Sequence, residues 1–186
     1  MSSNREVLFE GRHLLFLRRD GWEYVEHRTA PEAVMVVAIT SSRELVLVEE
    51  RRPALDGPVI SLPSGLVGDE GPEEAVEAAR RELREETGYG ASAFRGLGRG
   101  PGSAGQSSEM ITFFEAEGAA RAGDQAPHDL GRIRVHVVPI ARLPVWARAR
   151  EAEAVRVDPK IWAGLYLAGL TEAEAKTEAE AEARST

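Results

Sequence analysis

Apolar positions fall in short blocks of strand length along the first third of the chain, and the blocks change character as they go. Residues 7–18 and 22–27 mix apolar with charged side chains on either side of Asp20-Gly21. Asp-Gly is a strong short-range signal for a tight hairpin turn, so residues 6–27 are predicted as a β-hairpin. Residues 33–39 are continuously apolar, as expected of a buried strand. Ser41-Ser42-Arg43 then turns the chain into another strand at 44–50, and residues 58–63 lead on into the segment that follows. Later strands are predicted at 93–99, 109–115 and 133–139, separated by a Gly/Ser-rich loop at 98–108 and another at 118–131. Two helices, 141–154 and 158–170, complete the order, and no internal repeat is present. Periodicity alone yields a mixed α and β protein.

The stretch between the early and late strands carries the chemistry. Residues 81–89 read Arg81-Glu82-Leu83-Arg84-Glu85-Glu86-Thr87-Gly88-Tyr89. Pro72 near the start and Gly88 at the end suit a helix beginning near Pro72-Glu73, with Gly88 as its left-handed stop. At about 100° per residue, Glu82, Glu85 and Glu86 share one face. Like charges so placed destabilise a bare helix and resist simultaneous ionisation. A divalent cation removes both penalties, because hard Mg²⁺ binds carboxylate oxygens and keeps room for water or phosphate. The bland alternative is a solvated helix with pairs such as Arg81–Glu85.

Composition narrows the class. With 186 residues, 42% of them hydrophobic, the chain has the size and make-up of one globular domain. No cysteine is present, which excludes disulfides and thiolate metal sites. No apolar run is long enough to span a membrane, and the first residues lack a signal-peptide pattern, so a cytoplasmic location is expected. A net charge of −8 disfavours nucleic-acid partners. Much of the acidity lies at 171–186, where Ala and Glu alternate without an apolar face. That tail is expected to be disordered or a frayed helix.

The helix and the loop before it resemble the Nudix box, Gly-x5-Glu-x7-Arg-Glu-(apolar)-x-Glu-Glu-x-Gly-(apolar). Glu73 to Tyr89 follows the pattern, whereas Gly65 precedes Glu73 by two residues more than the pattern allows. The lengthening is placed around Gly68-Asp69-Glu70. The resemblance implies an α/β/α sandwich with an N-terminal β-hairpin extension. The chain then divides into a hairpin at 1–28 used for dimerisation, a Nudix hydrolase domain at 29–170 and the acidic tail. It also implies Mg²⁺, with Mn²⁺ as an alternative, held by Glu82, Glu85, Glu86 and the Ser64 carbonyl, which Gly65 leaves accessible.

The hairpin ending in Glu26-His27-Arg28 and the segment 47–53 look like the ADP-ribose pyrophosphatase branch. Arg52 matches an arginine there that orients phosphates, while Glu49 replaces another. In that branch the hairpin exchanges between subunits of a homodimer. Trp22 and Tyr24 would then stack on adenine beside Arg28, or else simply pack at an interface. Ser103-Ala104-Gly105-Gln106-Ser107-Ser108-Glu109 matches a branch segment at Gly105 and Glu109 but carries Ala104 where proline is usual. Glu109 is thus either a substrate contact or a solvated strand edge. The late loop offers Asp124, His128 and Asp129 but no glutamate, and Asp129 stands nearest the position of a catalytic acid. The implied reaction is metal-dependent hydrolysis of a nucleoside diphosphate derivative, with Glu85, Glu86 and Asp129 catalytic and ADP-ribose leading over FAD, GDP-mannose and dinucleoside polyphosphates. A catalytically silent nucleotide-sensing module is the alternative of another class.

Overall fold

A computed structural model describes residues 4–69, 71–126 and 133–170 of the chain. The predicted tail at 171–186 and the late-loop residues His128 and Asp129 lie outside them.

The N-terminal segment is a three-stranded antiparallel meander of β1 (Arg5–Glu10), β2 (Leu14–Arg19) and β3 (Trp22–His27). The expected hairpin therefore gains a strand. Gly11, whose amide donates to the Leu14 carbonyl at 2.8 Å, turns the chain inside what reads as one run. Asp20 and Gly21 form the predicted turn with φ of 52° and 84°, the positive pair that a tight hairpin requires.

The rest comprises β4 (Glu32–Ile39), β5 (Glu44–Arg52), β6 (Gly57–Ser61), β7 (Ser64–Leu66), α1 (Ala75–Thr87), β8 (Tyr89–Gly90), β9 (Ala93–Pro101) and β10 (Met110–Glu117). These are followed by β11 (Ala120–Arg121), β12 (Arg134–Pro139), α2 (Leu143–Ala152), β13 (Arg156–Val157) and α3 (Lys160–Leu167). In the main sheet β4 runs parallel to β10, and β9 lies antiparallel beyond it. β5 meets β4 only at Ala38 and Ile39. It then splays away, pairing with β12 along its first part and with β6 along its second. β7 takes the vacated edge at the start of β4.

β4 is apolar throughout because both of its faces are covered. Met35, Val37 and Ile39 pack with Leu143, Ile161 and Leu165 of α2 and α3. Val34, Val36 and Ala38 pack with Ala78, Ala79 and Leu83 of α1. The arrangement is the expected α/β sandwich, with helices on both sides of the sheet. α1 starts two residues later than predicted. Glu73 is turned back into the loop, where it accepts from the Gly68 amide and from Arg81, and Glu74 takes the extended capping position. Gly88 ends the helix in the left-handed region at φ 72°.

The meander rests on the loop before β10. The Val25 amide donates to the Gln106 carbonyl at 2.8 Å, and the Ser108 amide donates to the Val25 carbonyl at 3.1 Å. Leu17 is fully covered, yet Phe9, Leu14 and Phe16 stay exposed. Among the described residues, no helix is long and apolar enough to cross a membrane.

Candidate active site

The strand–loop–helix segment from β7 into α1 gathers the carboxylates. Glu82 and Glu86, one turn apart, are 8% and 6% exposed, whereas Glu85 is only half-buried. The Ser64 amide donates to Glu86 Oε2 at 2.9 Å. Gly65 lies hard against Glu82, since a Cβ on it would stand 1.9 Å from Glu82 Oε1. Only glycine permits this approach. The helix is thus pressed onto the β7 backbone by its acidic face, where an ordinary amphipathic helix would present apolar residues.

Arg81 is the hub of the charges. Its Nη1 donates to Glu82 Oε1 at 2.7 Å and to Glu85 Oε2 at 3.2 Å. Its Nη2 donates to Glu73, Asp69 and the Leu66 carbonyl at 2.9, 3.1 and 3.2 Å. The loop before the helix is fastened by one guanidinium, and the neighbouring acids hold that group firmly in its charged form. The hydrogen bonds from Arg81 keep Glu73 below the usual carboxylate range.

Burial acts the other way on the two inner acids. It pushes Glu82 up to about 7 against the opposing pull of Arg81, and Glu86 up to about 8 despite the Ser64 hydrogen bond. The protein without a cation therefore holds two carboxyls that lose a proton reluctantly. A raised folded-state pKa contributes stability that is complete below the unfolded value near 4.5 and is lost as pH rises through 7 and 8. Glu32, Glu49 and Glu73, all lowered, contribute in the opposite sense, and their share is lost only as pH falls below that value. In the presence of a chelator, the melting temperature is expected to fall as pH is raised from 5 to 8, and saturating Mg²⁺ should reverse the fall. A chelated protein whose melting temperature is flat or rising over this window would contradict the assignment.

The donor set fits a hard divalent cation. Glu82 meets a glycine that leaves no room for a side chain, Glu86 lies one turn on, and burial of both raises the cost of ionising them without a cation. In the conformation described, Arg81 draws Glu82 and Glu85 to itself. Among the described residues, no three acidic or imidazole groups converge on one point. A cation must therefore compete with the guanidinium.

The strands behind the helix add residues that sequence reasoning missed. Glu50 is 6% exposed, and its Oε1 is paired with Arg52 Nη2 at 2.5 Å. Glu49, on the opposite face, faces His136 Nε2 at 2.8 Å, Arg150 Nη2 at 3.0 Å and Arg134 Nη1 at 3.5 Å. Burial opposes its charge, but these partners win and keep its pKa low. Glu49 is thus an internal anchor between β5, β12 and α2. Arg134 and Glu49 are register partners, which no local pattern reveals. Gln125 Nε2 donates to the Glu86 carbonyl at 2.6 Å and to the Ile133 carbonyl at 3.1 Å. The Ala126 amide donates to the Glu85 carbonyl at 2.9 Å. The first part of the late loop therefore reaches the end of α1, and Gln125 ties it to Ile133. Asp124, at its start, is exposed and 3.9 Å from Arg121. A cleft of about 580 Å³ lies there, lined by Glu50, Arg51, Pro58, Gln125 and Arg134 among others.

The remaining expected substrate residues stand apart from the carboxylates. Trp22 is 65% exposed and donates through Nε1 to the Gly105 carbonyl at 3.1 Å. Tyr24 is half-buried with Arg19 over its ring. Arg28 binds Glu10 at 2.8 Å and the Gly11 carbonyl at 3.2 Å. Glu109 stands just before β10, beside Gly102, and is half-buried. Within one chain, Trp22 and Arg28 spend their polar contacts inside the meander and on its docking loop.

Comparison with known proteins agrees with this geometry. The family model described as NUDIX domain matches residues 29–157. A methanol dehydrogenase activator of Bacillus methanolicus is 35% identical over 131 residues, 67% of this chain and 69% of that protein. An ADP-ribose pyrophosphatase of Bacillus subtilis is 35% identical over 95 residues, 51% of this chain and 49% of its own length. This match spans about half of the pyrophosphatase. A crystal structure of an ADP compounds hydrolase superposes with a TM-score of 0.68 at 22% identity, covering 89% of each chain, and so supports the fold.

Proposed function

The chain belongs to the Nudix family of hydrolases, and from that premise we propose that it cleaves ADP-ribose, with Mg²⁺, to AMP and ribose 5-phosphate. The reaction consumes one water and breaks one phosphoanhydride P–O bond. The observation that carries it is the buried Glu82–Glu86 pair, with Glu82 against Gly65 and Glu86 on the Ser64 amide, a carboxylate platform where an ordinary helix would bury apolar residues. The choice of substrate is supported by the similarity to an ADP-ribose pyrophosphatase and by the Gly105 to Glu109 spacing.

When bound, Mg²⁺ supplies charge neutralisation at the phosphates and a water of lowered pKa. Glu82 and Glu86 would hold it, with the Ser64 carbonyl as a further ligand. Glu85, the outermost of the three, would orient the attacking water and accept its proton. Asp129 is the alternative for that role. Arg52 orients the diphosphate through paired donors once it leaves Glu50. Glu109 is a further proposed contact on the sugar side. With a panel of ADP-ribose, FAD, GDP-mannose and diadenosine polyphosphates, kcat/KM is expected to be highest for ADP-ribose. Another diphosphate ranking first would replace the substrate, and loss of all cation-dependent cleavage would leave the silent sensor.

The meander is proposed to form a homodimer in which Trp22, Tyr24 and Arg28 reach the partner's nucleoside. Phe9, Leu14 and Phe16 lie exposed on the meander, and a small sheet rarely keeps such a surface in water. Light scattering at micromolar concentration should give twice the chain mass. A monomer would remove these three residues from the site.

A further inference from the structure

Glu50 has no part in the platform described so far, yet its environment is that of a ligand. Strand alternation puts it on the α1 side of the sheet, because Val46, on the same face of β5, packs with Leu83 of α1. On β6, Ile60 packs with the α2 and α3 cluster, which turns Ser61 toward α1 as well. The register sets Val48 opposite Ser61 and Glu50 opposite Val59, so Glu50 and Ser61 are diagonal neighbours on one face. Both are buried, at 6% and 4% exposure. Glu50 Oε1 and Ser61 Oγ have no hydrogen-bond partner among the described residues. Arg52 neutralises Glu50 from a direction that makes no hydrogen bond. A buried carboxylate with an ion pair but no hydrogen bond, diagonal to a buried hydroxyl that has neither, is costly unless something else coordinates them. Glu50 also lines the cleft beside Gln125, which is tied to the Glu86 carbonyl.

We propose that Glu50 is a further carboxylate of the cation platform, sharing a divalent cation with Glu86, with the Ser61 hydroxyl directed to the same ion or to a water on it. This rests on the Nudix hydrolase reading, in which Glu86 holds the cation. It gives the Arg52–Glu50 pair a second meaning. Arg52 is a place-holder for the cation before loading and is released toward the diphosphate when the cation takes over Glu50. Arrival of the metal and readiness of the phosphate-orienting arginine are then one event.

The test is Mn²⁺ titration of the whole protein without substrate, with free Mn²⁺ counted by electron paramagnetic resonance. Glu50→Gln keeps the size of the side chain and can still accept from Arg52. It is expected to weaken Mn²⁺ binding by about tenfold or more, the scale seen when a group supporting a metal site is lost, and circular dichroism should be unchanged. Arg52→Met leaves Glu50 without its competitor and is expected to tighten Mn²⁺ binding. If Glu50 only serves to hold Arg52, neither variant shifts the titration, and the proposal is overturned. Should the Gln variant fail to fold, the Arg52→Met arm decides, since unchanged affinity there is equally fatal. Glu86→Gln in the same assay separates the two levels. If it leaves Mn²⁺ binding intact, the platform itself is wrong. If it abolishes binding while Glu50→Gln does not weaken it, only the present inference falls.

Discussion

Glu86→Gln is expected to leave the fold intact and to lower turnover by ~10³-fold or more, since losing one oxyanion donor already costs ~10²–10³ and a cation ligand acts on the whole developing charge. The fold survives for a specific reason. Burial keeps Glu86 reluctant to ionise until about 8, so a neutral amide of the same shape resembles the cation-free state. The Ser64 amide still finds an oxygen to bond. The cation loses the charge that anchors it, and the chelated variant should show a shallower fall of melting temperature above pH 5 than the wild type. Steady-state rates in Mg²⁺ together with thermal melts check both parts. Near wild-type turnover in a folded sample would refute the platform.

Gly65→Ala should be nearly as damaging, and by another route. The new methyl carbon would stand 1.9 Å from Glu82 Oε1 and 2.0 Å from its Cδ, far inside van der Waals contact. Those atoms end a flexible side chain, so the clash is relieved by swinging the carboxylate away and not by breaking the sheet. The stability cost is therefore modest, within the ~0.5–3 kcal/mol of ordinary substitutions, while the acid is displaced from its working position. Turnover should fall by ~10²-fold, about the penalty for misplacing a reacting group by an ångström, and the Mg²⁺ concentration needed for half-activation should rise. A variant equally active at equal Mg²⁺ would show that the contact has no part in catalysis.

Much of this was legible in the sequence, and the misses have physical causes. α1 and its acids were visible because helical spacing is local and the Gly88 stop is local too. β4 was visible because burial on both faces writes an unbroken apolar run. The third strand of the meander was missed because Gly11-Arg12-His13 lacks the positive-φ pair that marks Asp20-Gly21. Glu49 read as a lost arginine, yet it is the anchor for His136, Arg134 and Arg150, residues 85 to 101 positions away whose approach only the sheet creates. Glu50 is inconspicuous in the sequence for the same reason. Within the sequence Glu49-Glu50 is a charged pair at the end of a strand, and only pleating separates the two to opposite faces. Asp129, by contrast, rests only on the place of its loop in the chain, and it lies outside the described residues.

The loop from Gly65 to Glu73 is secured at both ends. β7 is hydrogen-bonded to β4 and its glycine meets Glu82, while Glu73 is gripped by Arg81 and the Gly68 amide. Extra residues between such fixed ends leave both ends in place. The entropy of closing a loop grows slowly, by about 0.6 kcal/mol for each doubling of length. This stretch can thus lengthen at little energetic cost while the helix beyond it keeps station. A search pattern that counts residues rigidly from the glycine would discard proteins whose reaction chamber is whole, whereas one hung on the arginine and the acids that surround it would retain them.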